Sequence, residues 1–482
     1  MGGNAVDAAI ATAFADAVMQ PASSGIGGGG TTIVAEQGRA LNYDYREVVN
    51  QAGVIPSSGA GVPGFVAGMQ ELHLQHGTVE WTTLLEPAIQ LAEEGAPVSG
   101  YLAATINSNL GRRVTGRLPH FRSPGGEFLQ EGETLIQAEL AATMRTLAAE
   151  GSPAFYNGSL TEVISTVEGI DPASLAAYTV QTSTPPSGQV GRYTMLSGSP
   201  ALPGAAIIQM VQIAEAAGIG TVDPNSADFV DLQSRAWQVA NAAVQTVFGD
   251  PAFVEVPVDQ LTDAPANAVI AQTLPAPSFD QSAQAYEGAP NTTHISVVDA
   301  DGMAVSMTNT ITNYWGSGQY VAGFFVNDQL ERFGDIGSGG ANAPAAAGRR
   351  SVTWSSPSML LDDQDRPVLV IGTPGGRQIP NTTAQVITMW ALHGMSLDEA
   401  VAADRFILAD GQLSIESDRL AGDLRARGYP VRVTAPESKA NWGSVQALQI
   451  DWDAGVVSGV ADTRRSAGVE VAVGTPTSTT NG

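Results

Sequence analysis

A layered α/β or α+β domain is the fold class the sequence predicts. Segments of helical period alternate with short strand-like runs along the whole chain, which requires sheets covered by helices. Apolar residues make up 43% of the chain and charged residues 15%, so the chain is globular rather than disordered. With 482 residues it can bury a large core in one or two domains. It contains no cysteine, which excludes a disulfide framework, thiol catalysis and cysteine metal sites.

The elements follow in order. Ala5 to Met19 is Ala-rich, with a polar start at Asn4 and a stop at Pro21, and reads as a helix. Thr31 to Ala35 reads as a strand. Trp81–Glu94, Gln137–Glu150, Ala205–Ala217 and Ser226–Phe248 are helical in period. The run from Pro257 to Asn291 has five prolines and little periodicity, and is expected to be a linker. His294–Asp299 and Met303–Thr308 read as a strand pair turning at Asp301-Gly302. Gly334–Gly348, rich in Gly and Ala, is expected to be a mobile surface loop. Val368–Ile371 is a short buried strand running into a glycine turn, with a helix from Thr382 to His393 behind it. There is no internal repeat.

The formal net charge is −26 and Lys439 is the sole lysine. So acidic a surface repels phosphates, so nucleic acid and anionic membranes are not expected partners. No stretch reaches the roughly 18 apolar residues of a membrane span, and no charged region precedes an apolar core as in a signal peptide.

The segment with the most chemistry is Asn291-Thr292-Thr293-His294-Ile295-Ser296-Val297-Val298-Asp299, a polar loop running straight into an alternating strand. It suits a chain that cuts itself before Thr292 and then uses Thr292 as nucleophile. A threonine hydroxyl needs a base beside it, and an N-terminal threonine carries one as its own α-amine, whose pKa is about 8 when unperturbed. The same letters also fit an ordinary hairpin, because Thr-Thr pairs are common in strands. In a strand, His294 shares a face with Thr292, where it either shapes the site or packs. His73 and His76 could share a helix face, but no third ligand is recognisable and they read as a solvated pair. Gly25-Ile26-Gly27-Gly28-Gly29-Gly30 formally matches a dinucleotide fingerprint. The helix precedes it and the strand follows, which is the reverse of the required order.

Thr292–Asp299, followed by Asp301-Gly302 and Ala304-Val305-Ser306-Met307-Thr308-Asn309-Thr310, closely resembles the small-subunit start of the γ-glutamyltranspeptidases, which are N-terminal nucleophile hydrolases. Met1–Ala9 and Ser24–Gly30 resemble that family's first helix and glycine loop, and Tyr45-Arg46-Glu47 its substrate-arginine motif. Gly61–Gly64, Glu86–Gly95, Gly372-Thr373-Pro374-Gly375-Gly376 and Asp462-Thr463-Arg464-Arg465 match further patterns in the family's order. The resemblance implies an α+β fold, the four-layer αββα sandwich. It implies self-cleavage into segments 1–291 and 292–482 that stay associated as one intertwined domain.

The resemblance also assigns roles. Thr292 is the expected nucleophile, Thr310 holds its hydroxyl, and the amides of Gly375 and Gly376 form the oxyanion hole. Arg46 is expected to grip a glutamyl α-carboxylate, and Asn327 and Gln329 lie where the family keeps polar groups for the substrate's amino end. Typical members place an aspartate for the α-ammonium where this chain has Arg332. Their paired serines fall on Thr353 and Trp354, and a pocket asparagine on Thr312. Arg332 and Thr353 are thus further expected substrate contacts, in an acyl pocket that looks rewritten. The implied activity is cleavage of a γ-glutamyl or related acyl amide through a threonyl acyl-enzyme, with water, an amino acid or a peptide as acceptor. No cofactor and no metal are implied. The alternatives are a glutaryl-type acylase, a poly-γ-glutamate depolymerase, or an uncleaved binding homologue. Family members usually carry a signal and a first strand ahead of the point where this chain opens. The start of the chain is therefore read as truncated or mis-started, and the resemblance alone suggests a periplasmic or extracellular location that the sequence does not itself assign.

Overall fold

The computed structural model describes residues 2–277, 279, 291–409, 411–434, 442–465 and 467–471. Numbering only the strands of the two large sheets, these are β1 Gly29–Glu36, β2 Arg39–Asp44, β3 Gln181–Ser183, β4 Ser187–Val190, β5 Tyr193–Ser197, β6 Thr293–Val298, β7 Ala304–Thr310, β8 Ser358–Leu361, β9 Pro367–Gly372, β10 Gln446–Asp451 and β11 Val456–Ala461. One sheet has the order β3-β2-β1-β7-β6, the other β11-β10-β9-β8-β5-β4, and all their pairings are antiparallel.

The two sheets pack face to face through Ile33, Ala304, Met359, Val370 and Ile450, all buried. Each outer face is covered by long helices. On the first sheet lie α1 Ala5–Met19 and α2 Phe65–His76, backed by α3 Trp81–Glu94 and α4 Ala138–Glu150. On the second lie α5 Gly204–Ala216, α6 Ala227–Thr246 and α7 Gln378–His393. The layers are therefore helix, sheet, sheet, helix, and the four-layer αββα sandwich is the observed architecture.

Local chemistry explains where the elements begin. The Asn4 side chain accepts from the Asp7 amide while Asp7 accepts from the Asn4 amide, a capping box that starts α1. Ser226 caps α6 in the same position-specific way, accepting from the Phe229 amide. The β6–β7 turn is closed by Asp299, whose carboxylate accepts from the Asp301 and Met303 amides, with Gly302 at φ 86°. The other Asp299 oxygen accepts from the Ala5 amide and ties the start of α1 to this turn.

Two expectations fail. The expected linker from Pro257 begins with helices Val258–Leu261 and Ala264–Gln272, held by buried Asn267, which bridges Gln212 and the Leu261 carbonyl. Its residues 278 and 280–290 lie outside the described residues. The Gly334–Gly348 segment is pinned rather than loose. Buried Asn342 donates to the Arg332 and Ile336 carbonyls and accepts from the Val352 amide. One polar side chain inside a Gly/Ala run supplies the anchor that composition hides.

The glycine run is a packing junction. A β-carbon on Gly28 would lie 2.2 Å from the Thr310 carbonyl oxygen, and one on Gly27 2.1 Å from that of Phe325. The Gly28 carbonyl in turn accepts from the Gly64 and Phe65 amides. Gly28→Ala must therefore push β7 away. It is expected to cost about 1–3 kcal/mol of unfolding free energy, as overpacked sites do. A urea midpoint equal to wild type would show that β7 does not depend on this contact.

Candidate functional site

Thr292 stands immediately before β6, and strand pairing sets it across from Thr310 at the end of β7, since the next pair is Thr293 with Asn309. The Thr310 hydroxyl donates to the Asn291 carbonyl at 2.6 Å. Having spent its one proton there, it accepts from the Thr312 amide at 2.8 Å and from the Thr292 hydroxyl at 3.4 Å. Thr312, which supplies that amide, has a left-handed backbone, φ 83°, a conformation costly for a β-branched residue. Its hydroxyl is fixed on Gln329 Oε1 at 2.6 Å, and its carbonyl accepts from the Asn291 amide.

The Asn291 side chain is clamped as well. Its Oδ1 accepts from the Thr292 amide, from Tyr101 Oη at 3.0 Å and from Arg465 Nη1 at 3.2 Å, and its Nδ2 donates to Ser23 Oγ. The Arg465 guanidinium also lies over the Tyr101 ring, 5.3 Å from its centroid. Tyr101 and Ser23 carry no sequence signal, being single residues far from the junction. Arg465 sits in the quoted Asp462-Thr463-Arg464-Arg465 motif, which was the available clue. Its neighbours hold the motif in place, with Arg405 on Asp462 at 2.9 Å and Arg464 on Glu416 at 2.7 Å.

A narrow pocket of about 10 Å³ lies over Thr292, lined also by Thr310, Thr312, Arg332, Thr353, Trp354 and Ser355, with Gly376 and Ile379 on the side of α7. Gly375 and Gly376 have φ values of 137° and 60°, and their carbonyls accept from the Gln378 and Ile379 amides at the start of α7. Gly376 reaches the pocket, whereas Gly375 sits behind it, against Gln378. Arg332 and Thr353 face the pocket. Arg332 is not free: it pairs with Asp335 at 2.7 Å and donates to Asn313, and Asp335 is shared with Arg377.

Three expected substrate contacts lie elsewhere. Arg46 is buried and spans both oxygens of Asp44, with its remaining arm on the Ser351 carbonyl. Burial pushes the Asp44 carboxyl up, but Arg46 and Arg350 outweigh it and hold that carboxyl below its usual range. Asn327 is occupied by backbone, donating to the Gly27 and Gly61 carbonyls and accepting from the Gly61 and Gln329 amides. Gln329 stands one layer back, between Thr312 and Ser351 Oγ. His73 and His76 are not a solvated pair either: His73 meets the Val79 carbonyl at 2.8 Å and His76 the Tyr43 hydroxyl at 2.7 Å.

His294 links the two sheets beneath the site. Its Nδ1 meets Thr308 Oγ1 at 2.8 Å and its Nε2 meets Ser296 Oγ at 3.2 Å. The ring lies against Gly372, where a β-carbon would come within 2.2 Å of Cε1. Gly372 leads into Gly375-Gly376, so one imidazole spaces the Thr292 strand from the glycine turn.

Comparison with known proteins follows the same outline. The family model described as gamma-glutamyltranspeptidase matches residues 1–472. The capsule biosynthesis protein CapD proenzyme of Bacillus anthracis is 31% identical over 468 residues, covering 96% of this chain and 86% of that protein. The acylase ACY 1 proenzyme of Pseudomonas sp. (strain SE83) is 33% identical over 500 residues, covering 95% and 88%. The crystal structure of cephalosporin acylase from Bacillus halodurans superposes with a TM-score of 0.88 over 98% of this chain and 92% of that one. At 23% identity it shares the fold.

Burial holds the His294 imidazole down to about 3 from 6.5. Between those values the unfolded chain binds a proton that the folded chain does not. The contribution of His294 to stability is therefore complete above about pH 6.5 and is lost as pH falls toward 3. The His294 ring resonances are expected not to titrate between pH 5 and 8, and His294→Gln is expected to flatten the acid side of the stability profile. A ring titrating near 6.5 would contradict the buried spacer.

Proposed function

The chain belongs to the gamma-glutamyltranspeptidase family and is an enzyme of it, and from that premise we propose that it matures by cutting itself between Asn291 and Thr292. The observation that carries this is the Thr310 hydroxyl on the Asn291 carbonyl. That bond polarises the carbonyl carbon next to the Thr292 hydroxyl. Attack by Thr292 Oγ1 forms an ester with Asn291 and breaks the Asn291–Thr292 C–N bond, and the nitrogen takes up a proton to become the amine. Water then hydrolyses the ester, leaving an Asn291 carboxylate and a free Thr292. Segments 1–291 and 292–482 stay together because β7, which pairs with β6 on one side, pairs with β1 on the other.

In the matured enzyme the Thr292 α-amine takes the hydroxyl proton as Oγ1 attacks a γ-glutamyl or related acyl amide. The amides of the Gly375-Gly376 turn stabilise the oxyanion, which is usually the largest single catalytic contribution. The amine returns the proton to the leaving amine. Water, an amino acid or a peptide then takes the acyl group from Thr292. Arg46 and Asn327 support this site from behind: Arg46 carries Ser351, which holds Gln329, and Asn327 fixes the glycine run. The acylase relative supports related acyl amides as substrates beside γ-glutamyl ones.

Thr292→Ala is expected to remain one full-length band on a denaturing gel, where wild type gives two. Thr310→Val, which keeps the shape and removes the proton on Asn291, is expected to slow cleavage at least tenfold, and Thr310→Ser to restore it. In the matured enzyme Gly375→Val is expected to lower kcat about 10²–10³-fold, the usual cost of a lost oxyanion donor. Two bands from folded Thr292→Ala would remove Thr292 from the mechanism.

A further inference from the structure

Resting on the self-cleavage reading, we infer that Asn291 is a positioning residue for that cleavage and that Tyr101 and Arg465 act through its side chain. Asn291 is fully buried. Its amide donates to the Thr312 carbonyl, its carbonyl accepts from Thr310, and its Nδ2 donates to Ser23 Oγ. Its Oδ1 collects three donors: the Thr292 amide at 2.9 Å, Tyr101 Oη at 3.0 Å and Arg465 Nη1 at 3.2 Å. A guanidinium and a backbone N–H cannot accept. The atom facing them is therefore the oxygen, and the side-chain amide has one orientation.

Both ends of the scissile peptide are held as a result. Thr310 fixes the carbonyl oxygen, and the Asn291 side chain fixes the Thr292 N–H. That side chain is fixed in turn by residues 190 and 174 positions away. Tyr101 stands at the start of helix Gly100–Asn107, which Ser99 caps by accepting from the Leu102 amide. Because Oδ1 only accepts, the one proton of Tyr101 goes to it, and Tyr314 donates to Tyr101 at 2.5 Å. Burial pushes the Tyr101 hydroxyl up, which keeps that proton in place. Arg465 is delivered by Asp462, which accepts from the Arg464 and Val445 amides. Its guanidinium lies over the Tyr101 ring, so the two donors brace each other. Misplacing a reacting group by about 1 Å costs about 10² in rate, and three donors on one oxygen prevent that drift. Since Arg465 follows β11, the second sheet is complete before the junction is presented for attack.

The test follows conversion of the full-length band after cell-free synthesis is stopped, in variants whose circular dichroism matches wild type. Arg465→Leu is expected to slow cleavage about tenfold, the worth of a hydrogen bond from a charged donor, and Arg465→Lys to restore most of the rate. Tyr101→Phe, which loses a neutral donor, is expected to slow it about fivefold. Asn291→Leu, similar in size, is expected to slow it at least as much as Arg465→Leu, and Asn291→Asp, which still accepts, to recover it. Adding Arg465→Leu to Asn291→Leu is expected to slow cleavage no further, because Arg465 acts through the Asn291 oxygen. Slowing that multiplies in the double variant would give Arg465 a general packing role and overturn the inference. Wild-type rates in Asn291→Leu and Arg465→Leu would overturn it too. Where Arg465→Leu does not fold, Asn291→Leu against Asn291→Asp decides. A wild-type chain that stays whole is a separate failure: it overturns the self-cleavage reading and the inference with it.

Discussion

The Thr310 hydroxyl is the point on which the rest of the site depends. A hydroxyl has one proton and two lone pairs, and here all three are placed: the proton on the Asn291 carbonyl, the lone pairs toward the Thr312 amide and the Thr292 hydroxyl. Losing the Thr312 amide would free Thr310 to turn, and the carbonyl of the junction would lose its donor. That explains why a β-branched residue is kept in a left-handed conformation at 312, and why Gln329 and Ser351 are arranged in series behind it. The strain at Thr312 is balanced by a hydrogen-bond chain that begins at the Arg46–Asp44 ion pair. A buried pair of that kind adds little stability for its own sake but holds its surroundings in one arrangement.

The two sheets serve the same point. Thr292 and Thr310 belong to one sheet, while Gly375 and Gly376 extend from β9 of the other. Their separation is set where the sheets touch, and the His294 imidazole against Gly372 is the spacer nearest the chemistry. A neutral ring suits that position, because a charge enclosed by the hydroxyls of Thr308, Ser296 and Ser306 and by Gly372 would lack a counter-ion. The glycine run does the corresponding work on the other side of β7, allowing β1 to approach Thr310 closely enough that no β-carbon fits.

Much of this was legible in the sequence, for reasons that differ by residue. Helix Ala5–Met19 has the predicted bounds because period, cap and stop residue agree, and Trp81–Glu94 has them on its apolar period alone. The β6–β7 hairpin was legible from Asp301-Gly302, and the motifs around it single out Thr292 and Thr310, which the strand pairing sets across from each other. Arg46, Asn327 and Gln329 were expected at the substrate and stand on protein groups behind the pocket, since sequence position does not say which way a buried side chain is committed. Tyr101 and Ser23 were not legible at all, because they reach Asn291 only through tertiary packing. The helices at Val258–Leu261 and Ala264–Gln272 were hidden by prolines that stand at or next to the first turn of each, where proline does not break a helix.

Mass spectrometry of the matured protein incubated with an acyl donor detects the Thr292 acyl-enzyme itself. A fragment that begins at Thr292 is expected to gain the mass of one acyl group on that residue and to lose it when an amine acceptor is added. A fragment beginning elsewhere, or an acyl group carried by any residue other than Thr292, would contradict it.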